Sequence, residues 1–243
     1  MLKRPLTLKP PATRAGALQS GTEGSVAWWK FDETQGGAAA DATGHGLAGR
    51  VQGQPRWAPG QGRFGGALEL DGATGFVDCA DAQEFDFREG MSLSVWFKVR
   101  RFDKMPPVLV TKGNNTWQLQ FTGDQHRLNF ALTGPQTKGT TRSRSPSVTS
   151  NRALDDGQWH HVVGAYDGQR VALYVDGKLA DSMSASGLIA QNTEPVMIGG
   201  SPTTRSRPFE GWIDDVRLYS CGLRESAIQA LYRGITETAD GTR

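Results

Sequence analysis

Met91-Ser92-Leu93-Ser94-Val95-Trp96-Phe97-Lys98-Val99 alternates without a break, so Met91, Leu93, Val95, Phe97 and Val99 fall on one face of an extended strand. A helix would scatter these five residues around its axis; a half-buried strand collects them. Runs of the same kind follow at Val108–Lys112, Trp117–Phe121, Leu128–Leu132 and 159–166. Asp167-Gly168 and Asp176-Gly177 then punctuate two more, Val171-Ala172-Leu173-Tyr174-Val175 and 178–183. Asp-Gly between β-rich runs predicts tight hairpins, because both residues tolerate positive φ. Upstream, Val26-Ala27-Trp28-Trp29-Lys30-Phe31-Asp32 and Ala67-Leu68-Glu69-Leu70-Asp71 read as strands; downstream, so do Val196-Met197-Ile198-Gly199 and 212–219. A helical period appears only near the end, where Ile228, Leu231 and Tyr232 at i, i+3 and i+4 predict a short helix over 224–233, with Glu225 in its first turn. Many short strands, one terminal helix and no alternating βα units predict an all-β fold, a two-sheet antiparallel jelly-roll sandwich.

The length of 243 residues suits one such domain, and 37% hydrophobic residues supply its core. The 31 glycines sit between apolar runs, as turns in a many-stranded protein require. A net charge of +2 gives no reason to expect nucleic acid as a partner. No stretch approaches the roughly 18 apolar residues of a membrane span, so membrane insertion is not expected. Residues 1–23, with Pro5, Pro10 and Pro11, read as a flexible leader or linker, and the basic start has no apolar segment of the kind a signal peptide needs. The domain is expected over 24–234 and a flexible tail over 235–243. Cys79 and Cys221 are too few for a disulfide framework; two free thiols are expected, with one bond as the alternative.

Several segments together resemble the laminin-G-like, concanavalin-A-like family. Val26-Ala-Trp-Trp-Lys-Phe-Asp-Glu33 resembles its opening strand, and Asp41-Ala-Thr-Gly-His-Gly46 its Asp-x-Ser-Gly-Asn-Gly loop, with Thr43 where Ser is usual and His45 where Asn is usual. Arg63-Phe-Gly-Gly-Ala-Leu-Glu-Leu-Asp-Gly72 is similar to its third element. Gly157-Gln-Trp-His-His-Val162, Tyr166-Asp-Gly168 and Leu173-Tyr-Val-Asp-Gly-Lys178 match its central hairpins, and Gly211-Trp-Ile-Asp-Asp-Val-Arg-Leu-Tyr219 its closing strand. The resemblance spans about residues 24 to 233. It implies a fold shared with pentraxins and legume lectins, a carbohydrate or extracellular protein ligand, an extracytoplasmic setting and one structural calcium.

Calcium takes six to eight oxygens. Asp32 ends the first strand, Asp41 opens a Gly-rich loop, and Asp214 shares a period-2 face with Val216 and Leu218. An inward carboxylate needs a partner. A calcium shared by Asp32, Asp41 and Asp214, with backbone oxygens near His45 and Gly46, is the reading favoured by the resemblance. The residues alone also allow three turn or surface aspartates, with Asp214 paired to an arginine. Asp215 and Arg217 are expected as a solvated ion pair on the other face. His160 and His161 point to opposite faces and cannot chelate one ion together, so one is expected half-buried and the other in solvent.

Glu84-Phe-Asp86-Phe-Arg-Glu89 matches a Glu-x-Asp-x-x-Glu signature that resembles the catalytic motif of laminarinase-type glycosidases on the same fold. Here it precedes a strand and runs into Glu89-Gly90, so Phe85 and Phe87 are expected to pack inward while the carboxylates face water. Five of the seven tryptophans, Trp28, Trp29, Trp96, Trp159 and Trp212, lie in strand patterns and read as core or sheet-face residues; Trp57 and Trp117 are less constrained. Thr141-Arg142-Ser143-Arg144 and Thr204-Arg205-Ser206-Arg207 repeat a basic element. If their loops meet at one end of the sandwich, Arg142, Arg144, Arg205 and Arg207 form an anion site for acidic glycans; otherwise they are solvated. The reading is a non-catalytic carbohydrate-binding or adhesion module with a structural calcium. The alternatives are a glycoside hydrolase using Glu84 and Glu89, and a structural protein-interaction domain.

Overall fold

A computed structural model describes residues 24–235 except 101, 103–105, 115, 124, 138–144 and 202–206. In chain order the described strands are β1 (Ser25–Trp29), β2 (Ala38–Ala39), β3 (Gly49–Gln52), β4 (Arg56–Trp57), β5 (Leu68–Asp71), β6 (Phe76–Asp78), β7 (Met91–Val99), β8 (Val108–Lys112), β9 (Trp117–Phe121), β10 (Leu128–Leu132), β11 (Gln136–Thr137), β12 (Ser147–Thr149), β13 (His160–Tyr166), β14 (Arg170–Val175), β15 (Lys178–Ser186), β16 (Val196–Ile198) and β17 (Glu210–Tyr219); helix α1 (Glu225–Arg233) follows. They form two antiparallel sheets. One runs β11-β15-β14-β13-β7-β17-β5-β4 with β1 added beside β17; the other runs β12-β10-β9-β8-β16-β6-β3-β2.

The alternation in β7 sets the layers. Met91, Leu93, Val95, Phe97 and Val99 all lie in the core between the sheets, beside Phe121, Phe130, Val162 and Ile213. Ser92, Ser94, Trp96 and Lys98 therefore face outward from the nine-stranded sheet. Helix α1 lies on this outer face and buries Ile228 and Leu231 with Val163, Ala172, Tyr174 and Tyr219. Ser92 ties the connection down, its hydroxyl donating to Cys221 O and accepting from Leu223 N. Gly234 ends the helix in the left-handed region, its amide bonding back to the last turn. Asp176 and Gly177, with φ of 50° and 75°, make the tight turn between β14 and β15 that the Asp-Gly pair demands.

Strand β17 departs from simple period 2. Asp214 pairs with Trp96 and Arg217 with Ser94, so β17 spends three steps where β7 spends two. The extra residue is Asp215, at φ 50°. Ile213 before it and Val216 and Leu218 after it all reach the core. Asp214 thus faces outward with Trp96, and the sequence expectation that it shares a face with Val216 and Leu218 is corrected by this bulge.

Cys79 is buried and Cys221 half-buried, and the two do not form a disulfide. The strands that the sequence does not announce, β2, β3, β4, β6, β11 and β12, are no longer than four residues, too short to show a clear alternation.

At Gly164 the two sheets come into close contact. A Cβ there would lie 2.4 Å from ring atoms of Phe130, which is fully buried and has no room to move. Gly164→Ala is expected to destabilise the fold by about 1–3 kcal/mol through overpacking, read as a lower urea midpoint at unchanged slope.

Candidate functional site

The three aspartates expected around calcium do not converge. Asp41 is spent on its own loop: its carboxylate accepts the amides of Trp28, Thr43 and Leu47 at 3.2, 3.0 and 3.2 Å and the Thr43 hydroxyl at 2.7 and 2.8 Å. Burial raises its pKa, but these hydrogen bonds win and hold it below the ordinary carboxylate value. Asp32 and Asp214 do line one cavity, of about 290 Å³, together with Trp28, Lys30, Phe64 and Asp215. Asp32 accepts from Gly66 N at 2.7 Å, and Asp214 accepts from Phe64 N at 2.8 Å through Oδ2. Asp214 is fully buried, and its Oδ1 has no hydrogen-bond partner. Burial, with the nearby charges of Asp215 and Asp32, pushes its pKa up to about 8 against the pull of the Phe64 amide. Among the described residues no three His, Cys, Asp or Glu side chains are grouped to hold a metal ion.

Asp215 and Arg217 do pair, at 2.9 Å, but the pair is buried rather than solvated, with side-chain exposures of 6% and 4%. Asp215 also accepts from Trp28 Nε1 at 2.5 Å, and the Arg217 guanidinium lies 4.0 Å from the Trp28 ring centre. Neither histidine faces solvent. His160 is clamped by Asp176 and Asp156, each at 3.0 Å, which together overcome its burial and raise its pKa. His161 lies under α1, in mutual ring contact with Trp96 and Tyr232 and bonded to Ser94 Oγ at 2.8 Å; burial pushes its pKa down to about 3.

Phe85 and Phe87 are buried while Glu84, Asp86 and Glu89 are exposed, on a 3-10 turn and the loop after it. Asp86 instead lies 3.8 Å from the buried ammonium of Lys112, whose nearer partner is Asp81 at 2.5 Å. Of the basic elements, Arg142, Arg144 and Arg205 lie outside the described residues. Arg207 is half-buried, and its Nε donates to Pro106 O at 2.9 Å, so this nitrogen is committed to the protein's own backbone.

A groove at one end of the sandwich carries features of a ligand site that the sequence reading passes over. Its volume is about 320 Å³, at the lower end of small-molecule sites. Gln52 at the end of β3 and Gly53 after it, residues 73–75 between β5 and β6, Phe76 at the start of β6, and Gly199, Gly200 and Ser201 after β16 form its walls, with Pro208 alongside. Two of the glycines are obligatory. A Cβ on Gly53 would meet Thr74 O at 2.1 Å and one on Gly199 would meet Leu70 at 2.2 Å, and both residues have φ near 80°. Bare backbone therefore walls much of the groove. Half-exposed Phe76 supplies an aromatic surface, and Gln52, Thr74 and Ser201 supply polar groups. No charged side chain is among the described residues that line it. Asp71 holds the wall in shape: its Oδ1 accepts the amides of Ala73, Thr74 and Gly75 at 3.0, 3.0 and 2.8 Å, and its Oδ2 the Thr74 hydroxyl at 3.0 Å. The signal available in the sequence was Asp71-Gly72-Ala73-Thr74-Gly75, an Asp-led turn of small residues.

A family model described as the concanavalin A-like lectin/glucanases superfamily matches residues 71–229. An adhesion G-protein coupled receptor V1 of Danio rerio is 29% identical over 158 residues, covering 60% of this chain but 2% of the receptor. Domain 4 of an extracellular arabinanase from Geobacillus stearothermophilus, solved with arabinotriose, superposes with a TM-score of 0.66 at 20% identity, covering 86% of this chain and 98% of that domain. The binding domain of Botulinum neurotoxin DC, solved with SialylT, gives 0.67 at 16% identity over 90% of this chain and 53% of that one. These similarities show the fold; this chain spans about half the length of the toxin binding domain and a small fraction of the receptor.

Asp71→Ala leaves three amides and a hydroxyl without their acceptor and is expected to cost about 1–2 kcal/mol. The hydrogen bonds outweigh partial burial and depress the Asp71 pKa from 3.8. The unfolded chain therefore takes up its proton first as pH falls. The Asp71 contribution is present above the unfolded value and is lost as pH drops through the lowered folded one. Urea unfolding from about pH 2.5 to 7 checks this: the gap between wild type and variant should be constant at neutral pH and close at the acid end.

Proposed function

The chain belongs to the concanavalin A-like lectin/glucanases superfamily, and from that premise we propose that it is a non-catalytic glycan-recognition or adhesion module. The observation that carries the reading is the glycine-walled groove. It offers a saccharide an aromatic face at Phe76, side-chain hydroxyls and an amide, and backbone polar groups that a Cβ would otherwise screen. This is the chemistry of a neutral sugar, which presents both apolar C–H faces and a ring of hydroxyls. The likeness to a domain solved with arabinotriose and to a binding domain solved with SialylT supports a glycan partner. An extracytoplasmic setting and protein ligands of the adhesion type are proposed with it. Among the described residues no helix is long and apolar enough to cross a membrane.

The glycosidase reading draws no support from geometry. Glu84 and Glu89 sit exposed on a stretch whose inward members are the buried Phe85 and Phe87, and neither carboxylate lines the groove. A calcium ion is proposed at a reduced set, Asp32 and Asp214 with backbone carbonyls. The support is the buried Asp214 Oδ1, which lacks any partner and beside which a cation would be favourable. Asp41 is not part of this set.

Two outcomes are expected. In glycan-array and calorimetric binding, Phe76→Ala should weaken a neutral oligosaccharide by about tenfold, the scale of one lost aromatic contact plus its buried area, with the fold retained by circular dichroism. Glu84→Gln and Glu89→Gln should leave binding untouched, and turnover of β-glucan that disappears in either variant would replace this reading with an enzyme. For the metal, calcium at about a hundred times its dissociation constant should add about 2.7 kcal/mol to stability and a chelator remove it. Asp214→Asn should abolish that response; a melt indifferent to calcium and chelator overturns the proposal.

A further inference from the structure

A second cleft, of about 350 Å³, is lined by Gln54, Arg56, Glu69, Asp71 and Arg100. It lies at the β4 edge of the nine-stranded sheet, on the outer face. Arg56 stands opposite Glu69, and Glu69 opposite Trp212, while the intervening Leu68 and Leu70 face the core. The cleft and the glycine-walled groove share two chain segments. Gln52 and Gly53 face the groove and Gln54 and Arg56 the cleft; residues 73–75 face the groove and Asp71 the cleft. The two sites therefore lie on either flank of the same pair of loops.

The charges in the cleft are not balanced in what they leave available. Glu69 is committed to Arg100 in an ion pair. Asp71 is committed to three loop amides and the Thr74 hydroxyl. Arg56 is exposed and has no ion pair or hydrogen-bond partner among the described residues. Arg100 lies over the Trp212 ring at 4.4 Å, and Lys98 at 4.2 Å, with no carboxylate against Lys98 among the described residues. Both acids are answered from within, so the free hydrogen-bonding capacity is that of donors, led by the Arg56 fork. Such a fork binds a carboxylate or a sulfate in two parallel hydrogen bonds.

We propose that this cleft is an acidic subsite: it takes the carboxylate or sulfate of an acidic saccharide whose adjoining neutral ring lies in the glycine-walled groove. The inference rests on the reading of the groove as a glycan site and narrows its ligand class to oligosaccharides with a neutral and an anionic residue side by side. It places acid recognition on Arg56, a residue outside the two basic elements read from the sequence.

The test is calorimetric titration of the full chain, wild type, Arg56→Gln and Phe76→Ala, with three oligosaccharides of equal length: uronate-bearing, sulfated and neutral. Each is measured at low and at physiological salt. At least one acidic ligand should bind wild type more tightly than the neutral one, and the arm that does so identifies the anion as carboxylate or sulfate. Arg56→Gln should weaken that ligand by about tenfold or more and the neutral one by less than about twofold, and should flatten its salt dependence. Phe76→Ala should weaken both. Equal losses for acidic and neutral ligands in Arg56→Gln, or no acidic preference in wild type, overturn the subsite while leaving the groove reading standing. Displacement of the acidic saccharide by inorganic sulfate at equal affinity reduces the cleft to an anion site and overturns the saccharide claim. Wild type that binds none of the three overturns the groove reading itself. The Arg56 side chain has no hydrogen-bond or ion-pair partner among the described residues, so Arg56→Gln is expected to fold as wild type does, checked by an unchanged melting temperature.

Discussion

Strand β17 pairs with β1, β5 and β7, and over the span facing β7 it carries one residue more than its neighbour. Asp215 absorbs the excess at positive φ, a conformation that Asp tolerates better than most residues because its short polar side chain can bond locally. The side chain does so: its carboxylate receives Trp28 Nε1 and the Arg217 Nε and Nη2. Removing the bulge would shift every later residue by one step and turn Val216 and Leu218 to the outside. The buried Asp215–Arg217 pair is thus part of the device that keeps both halves of the strand in register. Its partner Trp28, on β1, ties the first strand of the domain to the last.

The same bulge decides what lies on the outer face. Asp214 and Arg217 join Trp96, Ser94 and His161 there, and α1 closes over this half. Tyr232 completes an aromatic stack on Trp96 and His161. Sealed from water, His161 has its pKa pushed far down, while His160, one residue away on the core side, has its pKa raised by the two carboxylates that clamp it. The far half of the sheet, around Lys98, Trp212 and Glu69, has no helix over it among the described residues. One sheet therefore has a dry half and a wet half on a single face, and both candidate binding surfaces lie toward the wet half or its end loops.

The fold was legible because its signal is local and repeated. Alternation in β7, the Asp-Gly turns and the 3.6-residue period at Ile228, Leu231 and Tyr232 each specify their element without long-range information. The two-residue strands were illegible because alternation needs more than two residues to exist. The bulge hid for a related reason: Asp214 and Val216 are two apart in sequence, and only the count of residues in β7 reveals that they face opposite ways. Site residues were harder. Asp32 and Asp214 do meet in a cavity, but Asp41 was indistinguishable in sequence from a ligand until its loop amides were seen to consume it. The groove escaped notice because most of its wall is backbone, and backbone carries no residue signature beyond the glycines that permit it.

That last property sets the terms on which this site can vary. Gly53 and Gly199 can accept no side chain without collision against Thr74 or Leu70, so the mould is fixed wherever the main chain forms it. Diversity in what the described part of the groove accepts must then be written at its side-chain positions, Gln52, Ala73, Thr74, Phe76, Ser201 and Pro208. A directed-evolution library confined to those six codons would sample the recognition repertoire of this groove while sparing the framework, and libraries spread over Gly53 and Gly199 would lose clones to backbone strain and collision.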